Sequence, residues 1–281
     1  MSERSSTTVE LTGSRSLHAV GAGSGTDIVL IHGSLATHQD WLAGPFDRVA
    51  QLGRAIAIDR PGHGASRRAA SDASPRHNAI QLAEGLRMLG LTRAVIVAHS
   101  FGARLALALA ELYPEMVERL VLVAPAAFRH ARPFEHAVLA PRSAPLFAPA
   151  WSMGGTSFAD RVWLEAVHRM MFSPGEPTAE WRTSYQWETI LSGAQMAREG
   201  EDFAELHPMA MEPDLSFSSI KTQTTILAGM ADLIVDPGSQ SKSLAEAMPN
   251  ARFEPVAGEG HMLHHRRPDL LLEAIAEAVT A

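Results

Sequence analysis

Residues 94–110, AVIVAHSFGARLALALA, decide how this chain is read. The run Ala94-Val95-Ile96-Val97-Ala98 is apolar without alternation, as a strand covered on both faces should be. From Phe101 onward, Leu105, Leu107 and Leu109 sit among small residues and read as a helix. Between the two lies Ser100, with His99 and Phe101 beside it. Ala98 and Gly102 stand two residues to either side. Small residues there let strand and helix approach closely, so the turn can be sharp and its hydroxyl exposed at the apex. A strand, an abrupt turn and a helix with a hydroxyl at the turn suit the presentation of a nucleophile.

Working outward, the same rhythm repeats on both sides. Thr8–Leu11 and Ser16–Val20 predict a first pair of strands around Gly13. Gly21-Ala22-Gly23-Ser24-Gly25 is a turn; a phosphate loop would need a helix after it, and a strand follows instead. Asp27–Ile31 is a buried strand running into His32-Gly33-Ser34. Trp41–Leu52 predicts a helix and Arg54–Ile58 a strand. The loop Asp59-Arg60-Pro61-Gly62-His63-Gly64-Ala65-Ser66 follows, then an amphipathic helix over Ser74–Leu89. Pro114 ends the central helix, and Val117–Ala124 is the next strand. Strands alternating with helices across short connections predict a parallel sheet covered on both faces. Ligands of such sheets bind outside the carboxyl ends of the strands. His32–Ser34, Asp59 and Ser100 all follow strand ends and should share one edge.

From Ala126 to about Ser219 the rhythm stops. Prolines are frequent, and four of the five tryptophans lie here: Trp151, Trp163, Trp181 and Trp187. Helical patterns run over Phe158–Met171 and Trp181–Arg198. The segment reads as a helical cap inserted over the sheet edge, dividing a core of 1–125 and 220–281 from an insertion of 126–219. The alternation then resumes with a strand at Gln223–Ala228, a helix at Pro237–Met248, a strand at Ala251–Val256 and a closing helix from Arg267 or Pro268 to Val279.

A serine hydroxyl needs a base to take its proton, and the base works best when a carboxylate orients it. Asp232 follows one late strand and His261 the last. Asp236 competes for the acidic role, but it precedes Pro237 and suits a helix cap. The order Ser100, Asp232, His261 differs from the chymotrypsin and subtilisin orders.

These residues carry a resemblance that covers nearly the whole chain. Ala98-His99-Ser100-Phe101-Gly102 resembles the nucleophile elbow of the α/β-hydrolase superfamily, with alanine in place of the first glycine. His32-Gly33-Ser34 resembles its oxyanion loop, Asp59–Ser66 its second-strand loop, and Gly229-x-x-Asp232 and Gly260-His261 its acid and base loops. The resemblance implies an α/β fold: a mostly parallel sheet of about eight strands, helices on both faces and an inserted helical cap. It implies a cofactor-free serine hydrolase of the carboxylesterase type, with Ser100 as nucleophile, His261 as base and Asp232 as orienter. The backbone N–H groups of Ser34 and Phe101 would form the oxyanion hole, because fixed dipoles stabilise developing charge without reorganising. His99, Trp151, Trp163, Met170, Met171 and Trp187 are candidates for an apolar pocket, with ordinary core packing as the alternative for the cap residues. His32 and His63 should brace loops; His264 and His265 should face the closing helix, either at the surface or supporting the site from behind.

The same resemblance leaves three other readings open: hydrolysis of a carbon–carbon bond in a β-diketone-like compound, perhydrolase or cofactor-free haloperoxidase chemistry, and a non-catalytic ligand receptor. A serine at the elbow, where an aspartate would stand, argues against dehalogenase and epoxide hydrolase chemistry.

The bulk numbers fit this picture. At 281 residues, 46% of them hydrophobic and 20% charged, the chain suits a soluble α/β protein. A net charge of -7 disfavours nucleic acid as a partner. No cysteine is present, which removes disulfides and thiolate sites. There is no metal-ligand motif such as HExxH, so no metal is expected. The polar N-terminus lacks a signal-like apolar region, and no run approaches the ~20 residues of a membrane span. The expectation is a cytoplasmic protein with a small-molecule substrate, oligomeric state open.

Overall fold

The computed structural model describes residues 3–69, 72–130, 158–211 and 213–280. Eight strands form one sheet in the order β1-β2-β4-β3-β5-β6-β7-β8. They are β1 (Ser5–Glu10), β2 (Ser16–Ala22), β3 (Asp27–Ile31), β4 (Arg54–Ile58), β5 (Ala94–His99), β6 (Val117–Val123), β7 (Thr224–Gly229) and β8 (Ala251–Val256). β2 pairs antiparallel with both β1 and β4, and the remaining neighbours pair parallel. The strands β3, β4 and β5 are almost wholly apolar and buried because both of their faces are covered. One cluster packs α3 (Pro75–Met88) and α4 (Gly102–Leu112) onto one face, through Leu82, Leu86, Leu105 and Leu109 among others. Another packs Trp41, Phe46 and the closing helix, with Leu271 and Ile275, onto the other.

Strand order determines where a site can form. The chain leaves β3 for β4 on one side, then returns past β3 to β5 on the other. That reversal opens a crevice at the carboxyl ends of β3 and β5. The residues after β3 are His32-Gly33-Ser34, and the residue after β5 is Ser100.

Several helices differ from the sequence reading. The helix expected over Trp41–Leu52 is two short pieces, α1 (Gln39–Leu42) and α2 (Phe46–Val49), separated at Gly44-Pro45. Pro45 has no N–H to continue the ladder. The pattern over Trp181–Arg198 resolves into α6 (Ala179–Ser184), α7 (Trp187–Ile190) and the start of α8 (Gly193–Glu205). Here Ser192 caps α8 by accepting the Gln195 N–H at 3.2 Å. The segment after Pro237 opens as a π-helical turn over Pro237–Lys242 and becomes α-helical only at α9 (Ser243–Ala247). The chain ends in α10 (Leu263–Arg266) and α11 (Pro268–Thr280).

Between β6 and β7, the described helices α5 (Phe158–Phe172), α6, α7 and α8 form a helical insertion. Leu164, Ile190, Leu191, Met196, Phe203 and Leu206 pack onto Leu35 and Phe101, at the carboxyl ends of β3 and β5. The insertion therefore lies over the crevice. No described helix is long and apolar enough to cross a membrane.

Candidate active site

Ser100 sits at the abrupt turn between β5 and α4 with φ of 52°, a left-handed conformation that is uncommon for a residue with a side chain. Three backbone hydrogen bonds hold it there. Its N–H donates to Val123 O at 2.9 Å, and its carbonyl accepts from Ala103 N at 3.0 Å and Ala126 N at 3.1 Å. A Cβ on Gly102 would lie 2.5 Å from the His32 carbonyl oxygen, so no larger residue fits after the turn. This is the steric requirement that the small residues around Ser100 express in sequence.

The loops after β7 and β8 bring Asp232 and His261 together. Gly229 ends β7 against the backbone of Glu259, leaving no room for a Cβ. Ala231 N donates to Glu259 O at 2.9 Å. His261 Nδ1 lies 2.7 Å from Asp232 Oδ2, and both side chains are almost completely buried. Asp232 Oδ1 accepts from Ile234 N at 2.7 Å and Val235 N at 2.9 Å. A carboxylate only accepts, so the His261 proton on this side sits on Nδ1, and Nε2 is the nitrogen left for the cavity. Asp236 instead accepts the Ser239 N–H at 2.7 Å and caps the helical turn after Pro237.

Ser100 and His261 line one cavity of about 90 Å³, together with Ser34, Leu35, Phe101, Ala126, Trp163, Val167, Met170, Met171, Phe203, Leu206 and Ile234. Larger hollows of about 290 and 380 Å³ lie elsewhere; neither contains Ser100, His261 or Asp232. The backbone N–H groups of Ser34 and Phe101 are not engaged by another described residue. Gly33 packs against Ser100: a Cβ built there would lie 3.0 Å from Ser100 Cβ.

Of the proposed pocket residues, Trp163, Met170 and Met171 line this cavity. Trp151 lies outside the described residues. Trp187 does not line it; its ring packs on His168 and Tyr185 at a different hollow on the insertion. His99 does not line it either. Its ring is turned beneath His261, and its Nε2–H donates to the His261 carbonyl at 3.1 Å. Burial, with His264 and His261 nearby, holds the His99 imidazole neutral, well below its ordinary value.

His264 and His265 are buried behind the site, not at the surface, and the His264 ring lies 4.3 Å from that of His99. Each Nε2 lies 2.9 Å from a different oxygen of Asp40, which also accepts Trp181 Nε1–H at 3.1 Å. Burial pushes the Asp40 carboxyl up, but the two imidazoles outweigh it and hold it well below the carboxylate range. His32 and His63 brace loops as expected. His32 Nδ1–H donates to Gly33 O at 2.8 Å and its Nε2 accepts Arg60 N–H at 3.0 Å, while His63 Nδ1–H donates to Pro61 O at 3.2 Å.

Three groups bring metal-ligand atoms within 4.8 Å of one another: His18–His38–Asp59, Asp40–His264–His265 and His63–Glu199–Asp202. Within them His38 pairs with Asp59, both imidazoles pair with Asp40, and His63 pairs with Glu199 and Asp202, while His18 Nδ1 hydrogen-bonds the Thr8 hydroxyl at 2.9 Å. Arg60 and Arg68 also neutralise Asp202, at 2.5 and 2.7 Å.

Sequence reasoning missed a polar layer of the insertion. Gln195, Glu199 and Asp202 lie on one face of α8 and are all buried. Their spacing of four and three residues was visible, but such a stripe ordinarily faces water.

A parallel sheet with a strand-turn-helix serine and a histidine–aspartate pair at its carboxyl edge defines a hydrolase-type α/β protein. A profile of the Alpha/beta hydrolase family matches residues 28–274, and the chain belongs to that family. It is 32% identical to a 2-hydroxymuconate semialdehyde hydrolase of Pseudomonas putida over 250 residues, covering 85% of this chain and 82% of the relative. Among solved structures, an esterase from Exiguobacterium antarcticum superposes with a TM-score of 0.78 at 20% identity, over 99% of this chain and 100% of the other. A bromoperoxidase from Bacillus anthracis gives 0.77 at 20% identity with the same coverage.

Proposed function

We propose that this protein is a serine hydrolase that cleaves an ester-like bond of a small, uncharged substrate through an acyl-enzyme. The observation that carries the reading is the strained Ser100 turn opening into the same cavity as the Asp232-bound imidazole of His261.

Ser100 Oγ attacks the carbonyl carbon, and its proton passes to His261 Nε2. The carbonyl oxygen becomes an oxyanion, which the Ser34 and Phe101 N–H groups stabilise. The bond to the leaving alcohol breaks, and His261 returns the proton to that alcohol. Water then gives a proton to His261 and its hydroxyl to the acyl carbon. Ser100 leaves with the proton, and the acid is released. Asp232 holds the imidazole in the Nδ1–H tautomer and stabilises the imidazolium.

The described lining contains no Lys, Arg, Asp or Glu. An apolar wall binds an uncharged acyl group and would leave a charged one unpaired. Carbon–carbon hydrolysis is the second reading. The compound in the Pseudomonas relative's name, 2-hydroxymuconate semialdehyde, carries a carboxylate that such a wall would not neutralise. The ester reading therefore fits the cavity better.

The test is labelling by an active-site-directed fluorophosphonate, followed by turnover of short p-nitrophenyl esters and of a vinylogous diketone. Wild type should be labelled and should hydrolyse the esters, and Ser100→Ala should do neither. Equal labelling of Ser100→Ala would remove the nucleophile assignment. Faster cleavage of the diketone would replace ester with carbon–carbon hydrolysis.

A further inference from the structure

Leu35, the residue after Ser34, has φ of 53°. Left-handed backbone is unfavourable for a bulky side chain and persists only where the surroundings impose it. Both of its backbone polar groups are taken by the insertion. Its N–H donates to Glu199 Oε1 at 2.8 Å, and its carbonyl accepts the Tyr185 hydroxyl at 2.7 Å.

Glu199 makes one hydrogen bond, to the Leu35 N–H, from a fully buried position. Its Oε2 has no hydrogen-bond partner, and around Oε1 His63 Nε2 lies at 3.3 Å and the nearest guanidinium nitrogen of Arg60 at 3.7 Å. A buried carboxylate with so few partners is costly unless it holds something in place. Arg60 in turn donates to Gly33 O at 3.3 Å and to Asp202 at 2.5 Å, tying the other side of the loop to α8.

We propose that Tyr185 and Glu199 are positioning residues that clamp the Leu35 backbone and so set the Ser34 N–H beside Ser100. This rests on the serine hydrolase reading above. The insertion then completes the site as well as roofing it. The oxyanion donor is in place only while α8 and the segment between α6 and α7 are seated on the loop. The clamp adds no binding contact to the ground state, so its loss should act on kcat and leave KM nearly unchanged. A donor displaced by about 1 Å can cost up to about 100-fold.

The experiment measures ester kinetics and amide hydrogen exchange of the peptide spanning Leu35 in wild type, Glu199→Ala, Glu199→Gln and Tyr185→Phe. Glu199→Ala and Tyr185→Phe should lower kcat by about 10-fold or more, with KM within about twofold. Both should exchange faster at Leu35. Glu199→Gln keeps a carbonyl oxygen for the Leu35 N–H and should recover most of the kcat lost in Glu199→Ala. Unchanged kcat in the folded Ala and Phe variants, or a loss in the Gln variant as large as in the Ala variant, overturns the clamp. If wild type shows no Ser100-dependent turnover, the hydrolase reading fails, and exchange alone decides: unaltered protection in both variants overturns the clamp.

Discussion

Asp232 spends both of its oxygens on orientation. Two backbone N–H groups fix one, and the other accepts the hydrogen bond from His261 Nδ1–H. An asparagine there keeps the shape but must turn its NH₂ toward either the backbone donors or the imidazole. The second choice forces His261 into the other tautomer and removes the base from Nε2. Asp232→Asn should therefore fold normally and lose about 10⁴ in kcat, the size of effect seen when a triad carboxylate becomes an amide. Steady-state kinetics with a thermal melt checks this; activity within tenfold of wild type would move the orienting role elsewhere. Asp236 is not placed to substitute, since its carboxylate is committed to the turn after Pro237.

Trp163, Val167, Met170 and Met171 come from one face of α5 and form one wall of the cavity. On the proposed ester reading, shortening that wall should lengthen the preferred acyl chain. Met171→Ala should raise kcat/KM for a butyrate or hexanoate ester relative to acetate, by about fourfold per methylene accommodated, from ~0.8 kcal/mol for each buried CH₂. A panel of p-nitrophenyl esters reads this directly; an unchanged ranking would mean that Met171 does not bound the acyl site. These elements were unequally legible in the sequence. The strands at Asp27–Ile31 and Ala94–His99 show as apolar runs because both their faces meet helices, and their loops carry recognisable residues. Glu199 and Tyr185 show nothing comparable, because their partner is a backbone 150 or more residues away. The placement of His264 and His265, at the surface or behind the site, stayed open for the same reason: Asp40, which draws them inward, lies at the other end of the chain. The breaks at Gly44-Pro45 and before Ser192 are local signals that periodicity alone passes over.

The molecule as a whole should be acid-sensitive in a defined window. Burial holds His168 neutral down to about 3 and His264 to about 4. In the unfolded chain both titrate near 6.5. Between these limits the unfolded state binds protons that the folded state refuses, so stability rises with pH through the window and falls on acidification. Each such group contributes a slope of about 1.4 kcal/mol per pH unit at most. His168→Phe keeps a ring among Trp181, Tyr185 and Trp187, and should flatten the fall in Tm between pH 6 and 4. An equally steep fall in that variant would exclude His168 as a source. A last consequence follows from β6 and β7 being direct neighbours, with Val123 opposite Leu227. The chain leaves the sheet and re-enters it through one doorway, and the entropy of closing such a loop grows only by about 0.6 kcal/mol per doubling of its length. Descendants of this scaffold could thus exchange what lies between for a longer or shorter passage at little thermodynamic cost. The sheet would tolerate the exchange, but a newcomer would have to bring its own carboxylate and phenol to Leu35.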